Sequence, residues 1–402
     1  MRTGMVLANT PFPPDIRIEK EACILVGAGH DVLVLSRGEV GQTAEERIGG
    51  VTAIRHRVHP GSSLRRKLDS LRYLLTLDSP SWRRAMVDLA HTQGAEALHV
   101  HDLPYARSAI RAARETGVPV LLDLHENYPA ALKLWARRPI DRLLFSPRRA
   151  ARLERWACSR ADAVIVVVSE AKARLVGMGV PAERISIFGN SEPRDLTESA
   201  EPPVLPPAED RLHLVYVGGV AAHRGLDTAV EAMPALLEAN SHARLTIVGE
   251  GPKRDAVESL RARAAELGVA EAVDLTGRLP FSEAMDRIRE ASIALVPHKR
   301  SAHTDATVPH KLFQYMALGR PVLASDCAPL ARIIRETGAG AVFESGNPAS
   351  LAERALELAE DSRWRGASEA GREATLGEWN LESEGESLLD AYARATAKAG
   401  RR

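Results

Sequence analysis

Short apolar runs rich in Val, Ile and Leu recur along this chain, and an amphipathic stretch follows each one. In the first half the runs are TGMVLANT, HDVLVLSR, VTAIRHRV, ALHVHD, VPVLLDLHE, ADAVIVVVSE and ISIFGN. In the second half they are LHLVYVGG, ARLTIVGEG, AVDLTGR, SIALVP, PVLASD and AGAVFE. A strand that is apolar on both faces needs cover on both faces, and helices between successive strands supply it. The pattern predicts two α/β domains, each with an open parallel sheet, and the length of 402 residues agrees. The first domain is expected over residues 1–190. Residues 191–210, rich in Pro, Glu and Ser, read as a linker. The second domain is expected over 211–377. Residues 378–402 read as an amphipathic helix. Ligands of open parallel sheets bind at the carboxyl ends of the strands, and a cleft between two such domains is the default site.

Charge and cysteine usage narrow the function classes. Formal net charge is zero, which argues against broad nucleic-acid binding. Cys23, Cys158 and Cys327 lie far apart, with no CxxC pair and no Cys/His cluster. Neither a zinc site nor a disulfide framework is expected, and a reducing cytoplasm fits. The first residues lack the pattern of a signal peptide, and no segment approaches the roughly 20 apolar residues that cross a bilayer. The expected location is cytoplasmic. Two stretches, RRKLDSLRYLL and the run from Trp135 to Trp156, mix Arg with Leu, Phe and Trp. Such helices can lie on the inner face of an anionic membrane, or they are solvated faces with snorkelling arginines; the sequence weighs these equally.

Three strand-to-helix turns in the second half favour phosphate. In TVPHKLFQYMALGRPVLASD, Pro309 suits N1 of a helix, where its missing N–H costs nothing. The first-turn N–H groups of His310, Lys311 and Leu312 then face outward as an anion seat, and Lys311 adds a full charge. Gln314 lies three residues on, on the same face, where it can hydrogen-bond hydroxyls such as those of a ribose. In LVYVGGVAAHRGLDTAV, Gly218 and Gly219 follow a strand, and Arg224 stands where a helix opens. Glycines there let a ligand approach the backbone, and Arg can grip a phosphate bidentately. Gly249 and Gly251 form a third such turn in IVGEGPKRDAV. The dinucleotide fingerprint GxGxxG is absent.

The series VGG, HRGLDTAV, IVGEGP, LTGR, IALVP and PHKLFQYMALGRPVLASD resembles the donor-binding half of the GT4-type glycosyltransferases, which have the GT-B fold. NTPFPPDIRIEKEACILVGAGHDVLVLSR, VHDLPYARSAI and VPVLLDLHENYP resemble the family's acceptor-side half. The resemblance implies two Rossmann-like domains facing a central cleft, and a final helix that crosses back to the first. It implies transfer of a hexosyl group from a nucleoside-diphosphate sugar (UDP first, GDP next) to the hydroxyl of a glycan, lipid-linked or small-molecule acceptor. It further implies retention of configuration, no bound metal and no cofactor beyond the donor substrate. Composition rich in Arg and Ala suits a bacterial source.

By the same resemblance Gly218, Gly219, Arg224, Gly249, Thr307, Pro309, His310, Lys311 and Gln314 bind the donor. Arg224 and Lys311 neutralise the leaving diphosphate. His125 matches the family's cleft histidine, which can bond the donor sugar or stabilise developing charge; the alternative is a histidine that caps a strand end. Asp15, Arg17, His101, Asp102, His125 and Glu126 are the acceptor-side candidates. For Asp15 a helix cap is an equal reading, and His101 and Asp102 also stand at even odds. The chain departs from the family pattern at three positions. Gly219 replaces a basic residue, Gln314 replaces a glutamate, and Ala306 replaces the first acid of the same motif, with Thr304 and Asp305 adjacent. These departures leave open a non-catalytic relative that binds a nucleotide sugar or glycan. A nucleotide-sugar epimerase on the same fold is a further alternative, although no acidic pair is placed for chemistry at a ring carbon.

Overall fold

The computed structural model describes residues 1–135, 146–251 and 254–399. The chain divides into two compact units, one of Met1–Gly189 with the chain from Glu384 onward, the other of Asn190–Ser383.

The first unit holds strands β1 (Arg2–Leu7), β2 (Asp31–Arg37), β3 (Glu45–Ile48), β4 (Val51–His56), β5 (Ala97–His101), β6 (Val120–Leu124), β7 (Ala163–Val166) and β8 (Ile185–Ile187). They form one sheet in the order β3-β4-β2-β1-β5-β6-β7-β8. Every pairing is parallel except β3 with β4. Strands β5, β6 and β7 are buried at every position, as their unbroken apolar runs require. The order reverses between β1 and β5, which opens a crevice at their carboxyl ends. Strand β3 was not foreseen. Its sequence EERI is largely exposed, and it pairs at the sheet edge through the Gly49-Gly50 turn.

The second unit holds β9 (His213–Val217), β10 (Arg244–Val248), β11 (Val273–Gly277), β12 (Ile293–Val296), β13 (Val322–Ser325) and β14 (Gly340–Phe343). The order is β11-β10-β9-β12-β13-β14, all parallel. Here the reversal falls between β9 and β12. A core of Leu214, Tyr216, Val230, Met233, Leu245 and Leu295 locks this sheet to its helices.

Two segments differ from expectation. The stretch read as a linker begins inside the second unit. It forms a short helix, Arg194–Ser199, whose buried Thr197 hydroxyl bonds that of Thr375 at 3.0 Å, and Arg372 donates to the Thr197 carbonyl. The closing helix runs Leu381–Ala399 rather than starting at Glu378. Asn380 sets that start: its buried amide accepts from Ser383 N–H and donates to the Thr375 and Gly377 carbonyls. Its residues from Glu384 onward belong to the first unit, where Tyr392 is fully buried.

Candidate functional site

Strand β9 ends at Gly218-Gly219, and both the turn and its neighbours demand glycine. Gly218 and Gly249 have φ of 138° and 143°. A Cβ on Gly249 would overlap the Gly218 carbonyl, and one on Gly218 would collide with the Lys311 ammonium. Gly225, at φ 67°, lets the next helix start against the Pro297 carbonyl. The three turns therefore crowd around one spot beside the β9/β12 reversal.

Lys311 points into that spot. It is buried, and its ammonium lies 3.5 Å from the centroid of the Tyr216 ring. Burial, reinforced by Arg224, pushes its pKa well below the usual lysine value. Arg224, in the turn Ala222–Arg224, donates to Nε2 of the buried His298 at 3.0 Å. That bond requires an unprotonated Nε2, and burial with Arg224 and Lys311 holds His298 well below its ordinary value. His223 and His303 are held down to about 4, by burial first and by Arg224 next. Neither Lys311 nor Arg224 has a carboxylate partner among the described residues. The cradle thus concentrates positive potential with nothing to balance it.

The helix His310–Ala317 supplies one wall. Pro309 is its N-cap, with extended backbone, rather than N1 as the sequence suggested. The first turn is accordingly one residue later, and Leu312 N–H bonds back to the Pro309 carbonyl instead of facing outward. His310 Nδ1 lies 3.1 Å from the Asn190 carbonyl, and Asn190 donates to the Val308 carbonyl. The buried Gln314 donates from Nε2 to Glu192 at 3.0 Å. Thr307 is half-buried just before the helix. Asp305 and Thr304, the neighbours of buried Ala306, are both engaged. Asp305 accepts from Ala328 N–H and pairs with Arg300, and the Thr304 hydroxyl donates to the Lys299 carbonyl. Gly219 is exposed, and a Cβ there would meet only the Glu250 carbonyl, in ordinary contact at 3.9 Å. Of the IVGEGPKRDAV turn, Pro252 and Lys253 lie outside the described residues.

In the first unit the site residues gather at the ends of β5 and β6. Asp123 is fully buried. Arg17 binds it bidentately, Nε to Oδ2 at 2.7 Å and Nη2 to Oδ1 at 2.8 Å. His125 Nε2 lies 2.7 Å, and His101 Nδ1 3.2 Å, from Asp123 Oδ2. Both imidazoles donate to that one oxygen, which brings the two nitrogens within 3.1 Å of each other. His125 Nδ1 faces Asp102 at 3.7 Å. Burial opposes a charge on His125, but Asp102 and Asp123 outweigh it and raise its pKa to about 9. Asp102 itself holds a left-handed φ of 63° while its N–H bonds the Asp123 carbonyl. Glu126 is half-buried beyond the strand end.

Two acceptor-side candidates have structural roles, and for Asp15 it is the helix cap that was one of its two readings. Asp15 is the N-cap of the helix Ile16–Gly27, accepting from Ile18 N–H at 3.0 Å. Arg17 is in the first turn of that helix. It is buried, with its remaining N–H groups on the carbonyls of Phe188 and Gly189. Its reach is consumed internally because two carboxylates, Asp123 and Glu21, and two carbonyls converge on it.

Glu21 and His99 were not foreseen. Glu21 follows Arg17 by one helical turn, and its carboxylate is 3.1 Å from Arg17 Nε yet accepts no hydrogen bond at either oxygen. Burial and the nearby Asp123, against the pull of Arg17, push it well above the usual carboxylate range, toward the neutral acid. His99 shares a face of β5 with His101, and its Nδ1 meets the Tyr392 hydroxyl at 2.8 Å. The i,i+4 spacing of Arg17 and Glu21 and the i,i+2 spacing of the histidines were the available signals. Glu21, His99, His101 and Asp123 together have metal-ligand chemistry, with ligand atoms within 4.8 Å. Arg17 already supplies the positive charge those carboxylates face, so a cation there would compete with it.

Comparison with known proteins agrees with this geometry. Residues 16–191 match the family described as "Glycosyl transferase 4-like domain", and residues 211–361 match "Glycosyl transferases group 1". Glycogen synthase of Mycobacterium tuberculosis (strain CDC 1551 / Oshkosh) is 23% identical over 387 residues, covering 89% of this chain and 86% of that protein. Alpha-D-kanosaminyltransferase of Streptomyces kanamyceticus is 23% identical, covering 75% and 76%. Among solved structures, sucrose-phosphate synthase from Thermosynechococcus elongatus aligns with a TM-score of 0.79 at 19% identity, covering 99% of this chain and 100% of the other. HepE of Anabaena in complex with UDP aligns at 0.71 and 12%, covering 97% and 99%. At those identities the structural likeness shows the fold, which is GT-B.

Proposed function

The chain belongs to the GT4-type glycosyltransferases, and on that premise we propose that it moves a hexosyl group from a nucleoside-diphosphate sugar to an acceptor hydroxyl, with retention and without a bound metal. UDP is the favoured carrier and GDP the next. The observation that carries this reading is the pair Lys311 and Arg224, two cations in a glycine-lined cradle with no carboxylate to balance them among the described residues. The bond between the anomeric carbon and the diphosphate oxygen breaks, and a bond to the acceptor oxygen replaces it. The acceptor's proton passes to the departing diphosphate, which takes the electron pair of the broken bond and whose negative charge Lys311 and Arg224 neutralise. Such groups do the work of a divalent ion on the leaving group, which supports metal independence. His125, held cationic by Asp102 and Asp123, adds a fixed positive group in the first unit.

A thermal-shift panel with UDP, GDP, ADP, dTDP and CDP tests the donor. A ligand at about 100 times its dissociation constant adds roughly 2.7 kcal/mol to the native state. Stabilisation by one nucleotide identifies the base, and glycoside formation from the matching sugar donor then tests transfer. If no nucleotide stabilises the protein, the reading is contradicted, and the departures at Gly219, Ala306 and Gln314 explain why.

The reading extends to an anionic membrane surface. The helix Ser63–Thr76 leaves Leu64, Leu68, Leu71 and Leu75 exposed at 67%, 56%, 54% and 70%. Their spacing puts them on one stripe, and Arg65, Arg66, Lys67 and Arg72 flank it. No described helix is long and apolar enough to cross a membrane. Much of the second basic stretch, residues 136–145, lies outside the described residues. Flotation with phosphatidylglycerol vesicles is expected to carry the wild type and to lose the double variant Leu68→Glu/Leu75→Glu. Equal flotation of both would contradict membrane docking by this helix.

A further inference from the structure

A cavity of about 680 Å³ opens in the first unit at the carboxyl ends of β1, β2 and β4. Its floor is aromatic. Tyr73 stacks on Tyr105 at 5.0 Å, Trp82 tilts against Tyr105 at 5.4 Å, and His56 meets Trp82 edge-on at 4.8 Å. Its wall is basic, with Arg37 ending β2, Arg57 following β4 and Arg66 on the helix Ser63–Thr76.

The charges on this lining do not cancel. Asp69 is its one acidic side chain, and it is already used: Oδ2 accepts from the Ser79 hydroxyl at 2.6 Å and Oδ1 from Ser81 N–H at 3.1 Å. Those bonds fix the start of the helix Pro80–His91. Arg57 donates to the carbonyls of Glu39 and Gln42. The guanidinium groups of Arg37 and Arg66 have neither a hydrogen bond nor an ion pair among the described residues. Two free forks thus stand over an apolar floor. The volume suits a sugar-sized ligand. Asp102, which faces His125, and Tyr105, on the cavity floor, share the turn after β5. The cavity and His125 accordingly lie at the same end of the sheet.

We propose that this cavity is the acceptor site, and that the acceptor carries a phosphate or carboxylate gripped by Arg37 and Arg66, with its ring seated against the half-buried Tyr73–Tyr105 pair. This deepens the transferase reading and rests on it for the word acceptor; the anion site itself does not depend on transfer. A planar fork matches phosphate and carboxylate geometry, and an aromatic face takes the apolar side of a sugar or cyclitol ring.

Calorimetric titration of the whole protein with glucose 6-phosphate and with glucose tests it. UDP is titrated into the same preparations, so that loss of the donor site is read separately. The expected result is binding of glucose 6-phosphate at least tenfold tighter than glucose, weakened as salt rises. In Arg37→Ala/Arg66→Ala that preference disappears while UDP affinity is unchanged. Vesicles containing phosphatidylinositol 4-phosphate, set against phosphatidylglycerol vesicles of equal charge, separate the sources of the anion. A headgroup preference lost in the double variant assigns a lipid-borne acceptor, and its absence beside sugar-phosphate binding assigns a soluble one. The proposal is overturned if the wild type prefers neither anion, or if the double variant binds both as the wild type does. Failure of UDP binding with the sugar-phosphate preference intact would count against the donor site and leave the cavity's assignment standing.

Discussion

The two units gather charge in opposite ways. Around Asp123 in the first unit, Arg17, His101 and His125 all converge on one buried carboxylate, and Asp102 faces the far side of His125. Each charge has a counter-charge within the cluster. Around Gly218 in the second unit, Lys311 has an aromatic ring and Arg224 a neutral imidazole as partner, and neither has a carboxylate among the described residues. Burying a cation without an anion is costly. A chain that keeps such an arrangement holds a place for a ligand that brings the anion. A compensated cluster instead fixes the position and protonation of its members, here above all His125. The contrast separates a scaffold that fixes an imidazole from a socket whose cations lack an anion.

Asp123→Ala should produce the largest effect. It strands Arg17 and His125 in the interior, and breaking a buried pair costs about 3–5 kcal/mol. Thermal denaturation should show that loss, while the folded variant keeps its nucleotide affinity; a loss below about 1 kcal/mol would mean the cluster is not compensated as described. Lys311→Ala should behave in the reverse way. Removing a buried unpaired ammonium leaves stability unchanged or raised. UDP affinity should nonetheless fall about 30-fold, the roughly 2 kcal/mol of a charged hydrogen bond. A destabilised variant with normal UDP affinity would erase the contrast.

Gly249→Ala sharpens the socket's geometry. The new Cβ meets the Gly218 carbonyl at a φ that disfavours side chains, so a loss of about 1–3 kcal/mol is expected in chemical denaturation. A neutral substitution would show that the three turns are not held together by close backbone approach.

The smallest effect concerns pH. The folded-state pKa of His125 is raised from 6.5 to about 9. The folded protein therefore holds this proton more tightly than the unfolded chain. The resulting stability is fully present below pH 6.5 and is lost as pH rises through about 9. His125→Gln should flatten that slope by on the order of 1–2 kcal/mol in urea unfolding at pH 6 and pH 9.5. Lys311 opposes it, since its depressed pKa means that stability grows as pH climbs toward the ordinary lysine value.

The socket was more legible in the sequence than the cluster. Gly218, Arg224, Gly249 and Lys311 sit at strand ends or in first turns, where local grammar states their role. Most strands were readable too, because parallel strands covered on both faces are continuous apolar runs. EERI escaped because an edge strand needs no apolar run. Pro309 shifted by one position because N-cap and N1 prolines look alike in a sequence. Glu21, His99 and Tyr392 were missed for a different reason. Their meaning lies in contacts between residues 21, 99, 123 and 392, and no local pattern encodes a contact made across the fold. The partners of Arg17 were hidden for the same reason: the carbonyls of Phe188 and Gly189 that it bonds lie 171 and 172 residues away.

The contrast between socket and scaffold is tested most directly by calorimetric titration of the wild-type protein with UDP and with uridine at one pH and salt concentration. If unbalanced cations await a diphosphate, UDP binds at least about 100-fold tighter than uridine. Equal affinity for the two ligands would contradict the account.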